Sequence, residues 1–145
     1  MTAFNRPVFA DTLYWVGLVS KRDQHHARAR KWSLVVRGLI VTTEDVLIET
    51  ANSLTQPPHR GTWLALLGSI RTRPTYRVVP RSDRLLDRGW LLYAERMDKE
   101  WSLTDCISFL VMGDQRLTDA LTADHHFRQA GFVPLLQSDP PEAAP

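Results

Sequence analysis

The sequence predicts an α/β domain of three layers, a parallel sheet covered by helices on both faces. Three observations lead there. Short apolar runs rich in β-branched residues recur along the chain, and longer segments with apolar residues at helical spacing lie between them. Strands that alternate with helices pair in parallel, because each crossover helix returns the chain to the end of the sheet where the previous strand began. The 145 residues, 43% hydrophobic and 23% charged, suit one domain large enough to bury a core on each face.

The elements follow in order. A first strand is read at Val8-Phe9-Ala10, with Asp11 directly after it and a helix over 13–19. Asp23 is placed to cap a helix running to Arg37, with Gly38 as its stop. The second strand is Leu39-Ile40-Val41-Thr42, and Thr43 caps a helix over 44–54. Pro57-Pro58 marks a loop, after which 61–71 has helical spacing. Pro74 and Pro80 bracket a third strand, Tyr76-Arg77-Val78-Val79, followed by a helix over 82–96. Ser102 opens a helix that ends at Gly113. A fourth strand at Ala120-Leu121-Thr122, a short helix over 125–130 and a last strand, Phe132-Val133-Pro134-Leu135-Leu136, complete the domain. The single domain is set at 1–137. The stretch 138–145, rich in proline and small residues, is expected to be a disordered tail.

Composition narrows the class. No apolar run approaches the ~18–20 residues of a bilayer span. The first residues lack a basic stretch followed by an apolar core, so no secretory signal is expected and the location is read as cytoplasmic. Cys106 is the only cysteine, which rules out an internal disulfide and argues against a cysteine-based zinc site. Lysine occurs only at Lys21, Lys31 and Lys99, and the remaining positive charge is arginine, the better phosphate fork. A formal net charge of +2 decides little by itself.

The acids carry the chemistry. Asp11 and Asp124 each follow a predicted strand, at the carboxyl end where open α/β sheets bind ligands. Each also fits as the cap of the helix behind it, and both readings stand. Asp105 aligns with Phe109 and Met112 on an apolar helix, where a carboxylate is costly to bury without a partner such as a cation. The same residue completes the capping-box pattern Ser102-Leu103-Thr104-Asp105, and again both readings stand. Glu49 shares its helix face with Asp45, Asn52 and Ser53, so periodicity alone assigns it to solvent.

Four segments, in order, resemble the PIN-domain ribonucleases, specifically the VapC-like group. They are Val8-Phe9-Ala10-Asp11-Thr12, Leu47-Ile48-Glu49-Thr50-Ala51-Asn52, Trp101-Ser102-Leu103-Thr104-Asp105-Cys106-Ile107-Ser108-Phe109, and Leu121-Thr122-Ala123-Asp124-His125-His126-Phe127 with Ala130-Gly131-Phe132. The resemblance implies a five-stranded sheet in the order 3-2-1-4-5, with Asp11 and Asp124 meeting at the switch point. It implies that Asp11, Glu49, Asp105 and Asp124 hold Mg²⁺ or Mn²⁺, and that Thr12, Thr104 and Thr122 orient the carboxylates or bound water. The implied activity is cleavage of RNA to a 5′-phosphate and a 3′-hydroxyl. The implied partners are RNA, a cognate antitoxin and a second copy of the chain.

Other features point elsewhere. His25-His26 and His125-His126 suggest zinc, but adjacent histidines lack the i, i+4 spacing of helical zinc sites. Asp98 is an extra acid before the third segment, read chiefly as surface, and Asp114 and Asp119 read as loop residues. A nuclease working without an antitoxin, and a PIN module that only binds RNA or protein, are the alternatives. A phosphate-accepting receiver is disfavoured, because Arg6 and Pro7 precede the first strand and no lysine follows Lys99.

Overall fold

The computed structural model describes residues 2–142. The element order is β1 (Val8–Ala10), α1 (Thr12–Val19), α2 (His26–Val35), β2 (Ile40–Thr43), α3 (Glu44–Ser53), α4 (Pro57–Thr72), β3 (Tyr76–Val79), α5 (Asp83–Glu95), α6 (Leu103–Asp114), β4 (Asp119–Leu121), α7 (His125–Gln129) and β5 (Val133–Pro134). A 3₁₀ turn, Leu135–Gln137, follows. The five strands are parallel and ordered β3-β2-β1-β4-β5. Register pairs Phe9 with Val41 on one side and with Ala120 on the other.

The strand order reverses beside β1, so right-handed crossovers send the early helices to one face of the sheet and the late ones to the other. Side chains agree with this. Trp15 of α1 lies 6.1 Å from the Tyr76 ring on one side. On the other, Phe9 faces Phe127 of α7, and the Phe127 ring stands edge-on to Phe109 of α6 at 5.0 Å. Trp101 joins the same cluster against Phe109 at 5.0 Å. Each buried ring contributes roughly 2–3 kcal/mol of apolar burial. The cluster fixes α6 and α7 against β1 and β4, and so fixes the residues at their first turns.

Several boundaries differ from the expectation. α2 begins at His26 rather than after Asp23, because Asp23 closes a turn through its carboxylate, which accepts from the His25 amide. Gly38 lies beyond the end of α2, and a Cβ there would fall on the Arg6 carbonyl oxygen. α4 starts at Pro57, not after a proline loop, since proline at the first helical positions lacks an N–H that would have no partner anyway. β5 is only Val133–Pro134 before the chain tightens into the 3₁₀ turn. Asp119 is not a loop residue: it opens β4, is 3% exposed, and receives Arg6 Nε at 3.0 Å. Asp114 closes α6 and pairs with Arg88 at 2.7 Å.

Two helix ends show contrasting chemistry. After α7, Gly131 has φ 95°, and the amides of Gly131 and Phe132 return to the carbonyls of Arg128 and Phe127. After α6, Arg116 adopts φ 56° in the same hydrogen-bonded cap, with Leu117 bonding Met112. A side chain pays a steric penalty in that region that glycine avoids. Arg116→Gly is therefore expected to stabilise the protein by about 1 kcal/mol, read as a rise in urea midpoint. An unchanged or lowered midpoint would mean that the Arg116 side chain contributes contacts that offset the strain.

At the other end, Ser138 and Asp139, expected as the start of a disordered tail, lie against α2. Trp32 Nε1 donates to the Ser138 carbonyl at 2.9 Å, and Asp139 pairs with Arg28 and Lys31 at 3.1 and 3.2 Å. Positions 143–145 of that expected tail lie outside the described residues. Among the described residues, no helix is long and apolar enough to cross a membrane.

Candidate active site

The carboxyl ends of β1 and β4 lie side by side at the switch point, where the strand order predicts a ligand. Asp11 follows β1 and is 4% exposed. It occupies the N-cap position of α1, yet its side chain makes no capping bond. Its Oδ2 instead accepts from Thr122 Oγ1 at 2.9 Å, across from β4. The same hydroxyl accepts the Asp124 amide at 3.1 Å, so one threonine fixes both acids. Of the two readings of Asp11, capping is the one its side chain does not support.

Asp124 does cap its helix: its Oδ1 accepts the His126 amide at 2.9 Å. Asp105 does two things at once. It completes a capping box with Ser102, whose Oγ accepts the Asp105 amide at 2.9 Å while Asp105 Oδ2 accepts the Ser102 amide at 3.1 Å. It is also buried, at 9% exposure, facing Asp11, Glu49 and Asp124 closely enough for their charges to act on it.

Glu49 leaves the solvent face that periodicity assigned it. It is half-buried on α3, and Thr12 Oγ1 donates to its Oε1 at 2.5 Å. The tilt of α3 is set at its start, where Thr43 Oγ1 caps the Val46 amide, and just before it, where Thr42 Oγ1 donates to the Ala10 carbonyl. Thr12 thus hydrogen-bonds Glu49, and Thr122 hydrogen-bonds Asp11. Thr104 is half-buried, and its hydroxyl bonds none of the four acids among the described residues.

The electrostatics are those of a site short of positive charge. Burial, followed by the negative charge of Asp105, pushes the Asp11 carboxyl up to about 7; Thr122 and the Thr12 amide offset this in part, and Glu49 adds to it. Burial also raises Asp105, against the lowering effect of the Ser102 amide, with Asp124 and Glu49 adding repulsion.

Histidine also stands beside the acids. His126 Nδ1 stands 3.4 Å from Asp105 Oδ2 and 3.2 Å from Asp124 Oδ1. Asp124, His125 and His126 can each bring one ligand atom within 4.8 Å of the others. Adjacent histidines are expected to diverge, but here the two rings lie 4.4 Å apart, with His126 half-buried and His125 exposed. The other pair has a structural use: His26 Nδ1 donates to the Gly17 carbonyl at 2.7 Å, joining α2 to α1. Asp98 stands apart, exposed and held down to about 2 by the Arg96 guanidinium.

A hard, oxygen-rich donor set with raised carboxyls and a buried, unpartnered ring nitrogen at its edge fits a divalent cation. Strand order and the placement of the acids at the switch point are those that the resemblance to VapC-like PIN domains implied, and the comparisons point the same way. No protein-family model matches the chain. It is similar to the 23S rRNA-specific endonuclease VapC20 of Mycobacterium tuberculosis, at 29% identity over 127 residues, covering 87% of this chain and 95% of that protein. The same match is found in strains CDC 1551 and H37Rv. The crystal structure of Mycobacterium tuberculosis VapC20, described as a sarcin–ricin loop cleaving toxin, aligns with a TM-score of 0.79 and 27% identity, over 87% of this chain and 96% of that one.

Proposed function

We propose that this chain is a divalent-cation-dependent endoribonuclease, the toxin of a VapBC-type pair, and that its substrate is a structured ribosomal RNA. The observation that carries the reading is the buried carboxylate group at the switch point, where burial first and the charge of Asp105 next lift Asp11 to about 7. Four carboxylates repel one another and repel an RNA phosphate, so they serve an RNA nuclease only with cations between them and the substrate.

Asp11, Glu49, Asp105 and Asp124 would hold the cation, Mg²⁺ or Mn²⁺, directly or through water. When bound, the cation lowers the pKa of a water, aligns it with the phosphorus and stabilises the departing oxygen. The protein's own share is positional. Thr122 holds Asp11 and Asp124 at one spacing, Thr12 holds Glu49 to the start of α1, and the Ser102 box fixes Asp105. Asp11, Asp105 and Asp124 sit at strand ends or helix starts and Glu49 within α3, all on packed elements, so little reordering is needed when substrate arrives.

VapC20 is a 23S rRNA-specific endonuclease, and likeness over most of both chains supports a ribosomal target here. The toxin reading brings an antitoxin partner. A homodimer is favoured by the apolar outer face of α5, where Trp90, Leu91 and Tyr93 are 51, 63 and 49% exposed beside Met97 at 89%. Intact ribosomes incubated with the purified chain test the substrate. Primer extension along 23S rRNA is expected to stop once, in the sarcin–ricin loop. Intact 23S rRNA beside cleaved tRNA would overturn the ribosomal target while leaving the nuclease standing.

A further inference from the structure

We infer that His126 supplies a nitrogen ligand to the cation, so that the site is a mixed oxygen–nitrogen site and not carboxylates alone. The inference rests on reading the acidic group at the switch point as a divalent-cation site. Its Nδ1 is buried and makes no hydrogen bond. The atom nonetheless stands within 3.4 Å of one carboxylate oxygen and 3.2 Å of another. Both oxygens are already engaged: Asp105 Oδ2 accepts the Ser102 amide, and Asp124 Oδ1 accepts the backbone amide of His126 itself.

A ring nitrogen left without a partner away from water is destabilising. In the tautomer that leaves Nδ1 unprotonated, its lone pair faces two anionic oxygens and is repelled by both. A cation held between His126 Nδ1 and the nearer oxygen, Asp124 Oδ1, satisfies both donors, with Asp105 Oδ2 next to them. The approach is built into the backbone, since the cap that Asp124 makes on the His126 amide also sets where the imidazole points. The Phe127 ring, fully buried against Phe9 and Phe109, anchors the next residue. His125, 69% exposed at its side chain and 3.7 Å from Asp124 Oδ1, is the natural comparison.

Imidazole suits transition metals, whereas Mg²⁺ takes oxygen ligands. The site should therefore prefer Mn²⁺ to Mg²⁺, and His126→Gln should weaken Mn²⁺ binding ~10-fold or more with a smaller effect on Mg²⁺. The direct readout is electron spin-echo modulation of Mn²⁺ bound to the full chain. Wild type is expected to show directly bound ¹⁴N modulation, which changes to that of ¹⁵N when only histidine is ¹⁵N-labelled, a comparison that needs no variant to fold. His125→Gln should keep the signal and His126→Gln should lose it. Bound Mn²⁺ without histidine modulation, or a signal lost in His125→Gln and kept in His126→Gln, would overturn the role of His126 and leave the acidic site standing. Absence of Mn²⁺ binding by calorimetry would overturn both.

Discussion

Replacing Asp11 by Asn is expected to lower RNA cleavage on the order of a thousandfold while leaving the fold intact. The side chain is 4% exposed at the end of β1, and its Oδ2 accepts from Thr122. Asparagine keeps an acceptor for that hydroxyl and keeps the volume, so the link between β1 and β4 survives. What it removes is the negative charge that a cation needs. The two quantities should move in opposite directions: activity falls, and stability of the metal-free protein at neutral pH rises. Rates on a labelled RNA and a urea titration of the same preparation check this. Cleavage within tenfold of wild type would remove Asp11 from the machinery.

The second large effect is on stability against pH. The Asp11 carboxyl sits near 7 in the folded metal-free protein, against 3.8 as its ordinary value, with burial as the main cause and Asp105 the next. A carboxyl raised on folding favours the folded state fully below the ordinary value, and that advantage is lost as pH rises through 7. Between pH 5 and pH 8 in EDTA, the protein should lose on the order of 3 kcal/mol from this group. Asp105, also raised, acts in the same direction. Saturating Mg²⁺ or Mn²⁺ should flatten the loss, because the cation favours the ionised form, and Asp11→Asn should flatten it without metal. Parallel pH profiles for wild type and Asp11→Asn in EDTA would show that Asp11 carries no such cost.

How much of this was legible in the sequence depends on how far each residue's partner lies along the chain. Local patterns found the strands and most helices. They also found Asp11 and Asp124, because both acids directly follow apolar runs. Ser102 and Asp105 were legible as a capping box, three residues apart, and the structure adds that the same carboxylate faces the other acids. Glu49 was not legible from periodicity. Its partner, Thr12, is 37 positions away, and only the family pattern pointed to it. Asp119 was misread for the same reason, since its partner Arg6 is 113 positions away. The His125-His126 pair reads in sequence as a zinc motif with the wrong spacing; its nearness to Asp105 and Asp124 depends on the fold and on the cap that Asp124 makes on the His126 amide. The ends of α2, α4 and β5 moved because turn chemistry at Asp23, Pro57 and Pro134 decides them more than hydrophobic spacing does.

Cleavage of a 23S rRNA fragment by the purified, metal-stripped chain tests the central claim most directly, with Mn²⁺, Mg²⁺ or EDTA and with Asp105→Ala alongside. A buried carboxylate group that works through a cation predicts cutting when either ion is restored, none in EDTA, and none by Asp105→Ala under any condition. Cutting that persists in EDTA, or that Asp105→Ala performs at the wild-type rate, would contradict it.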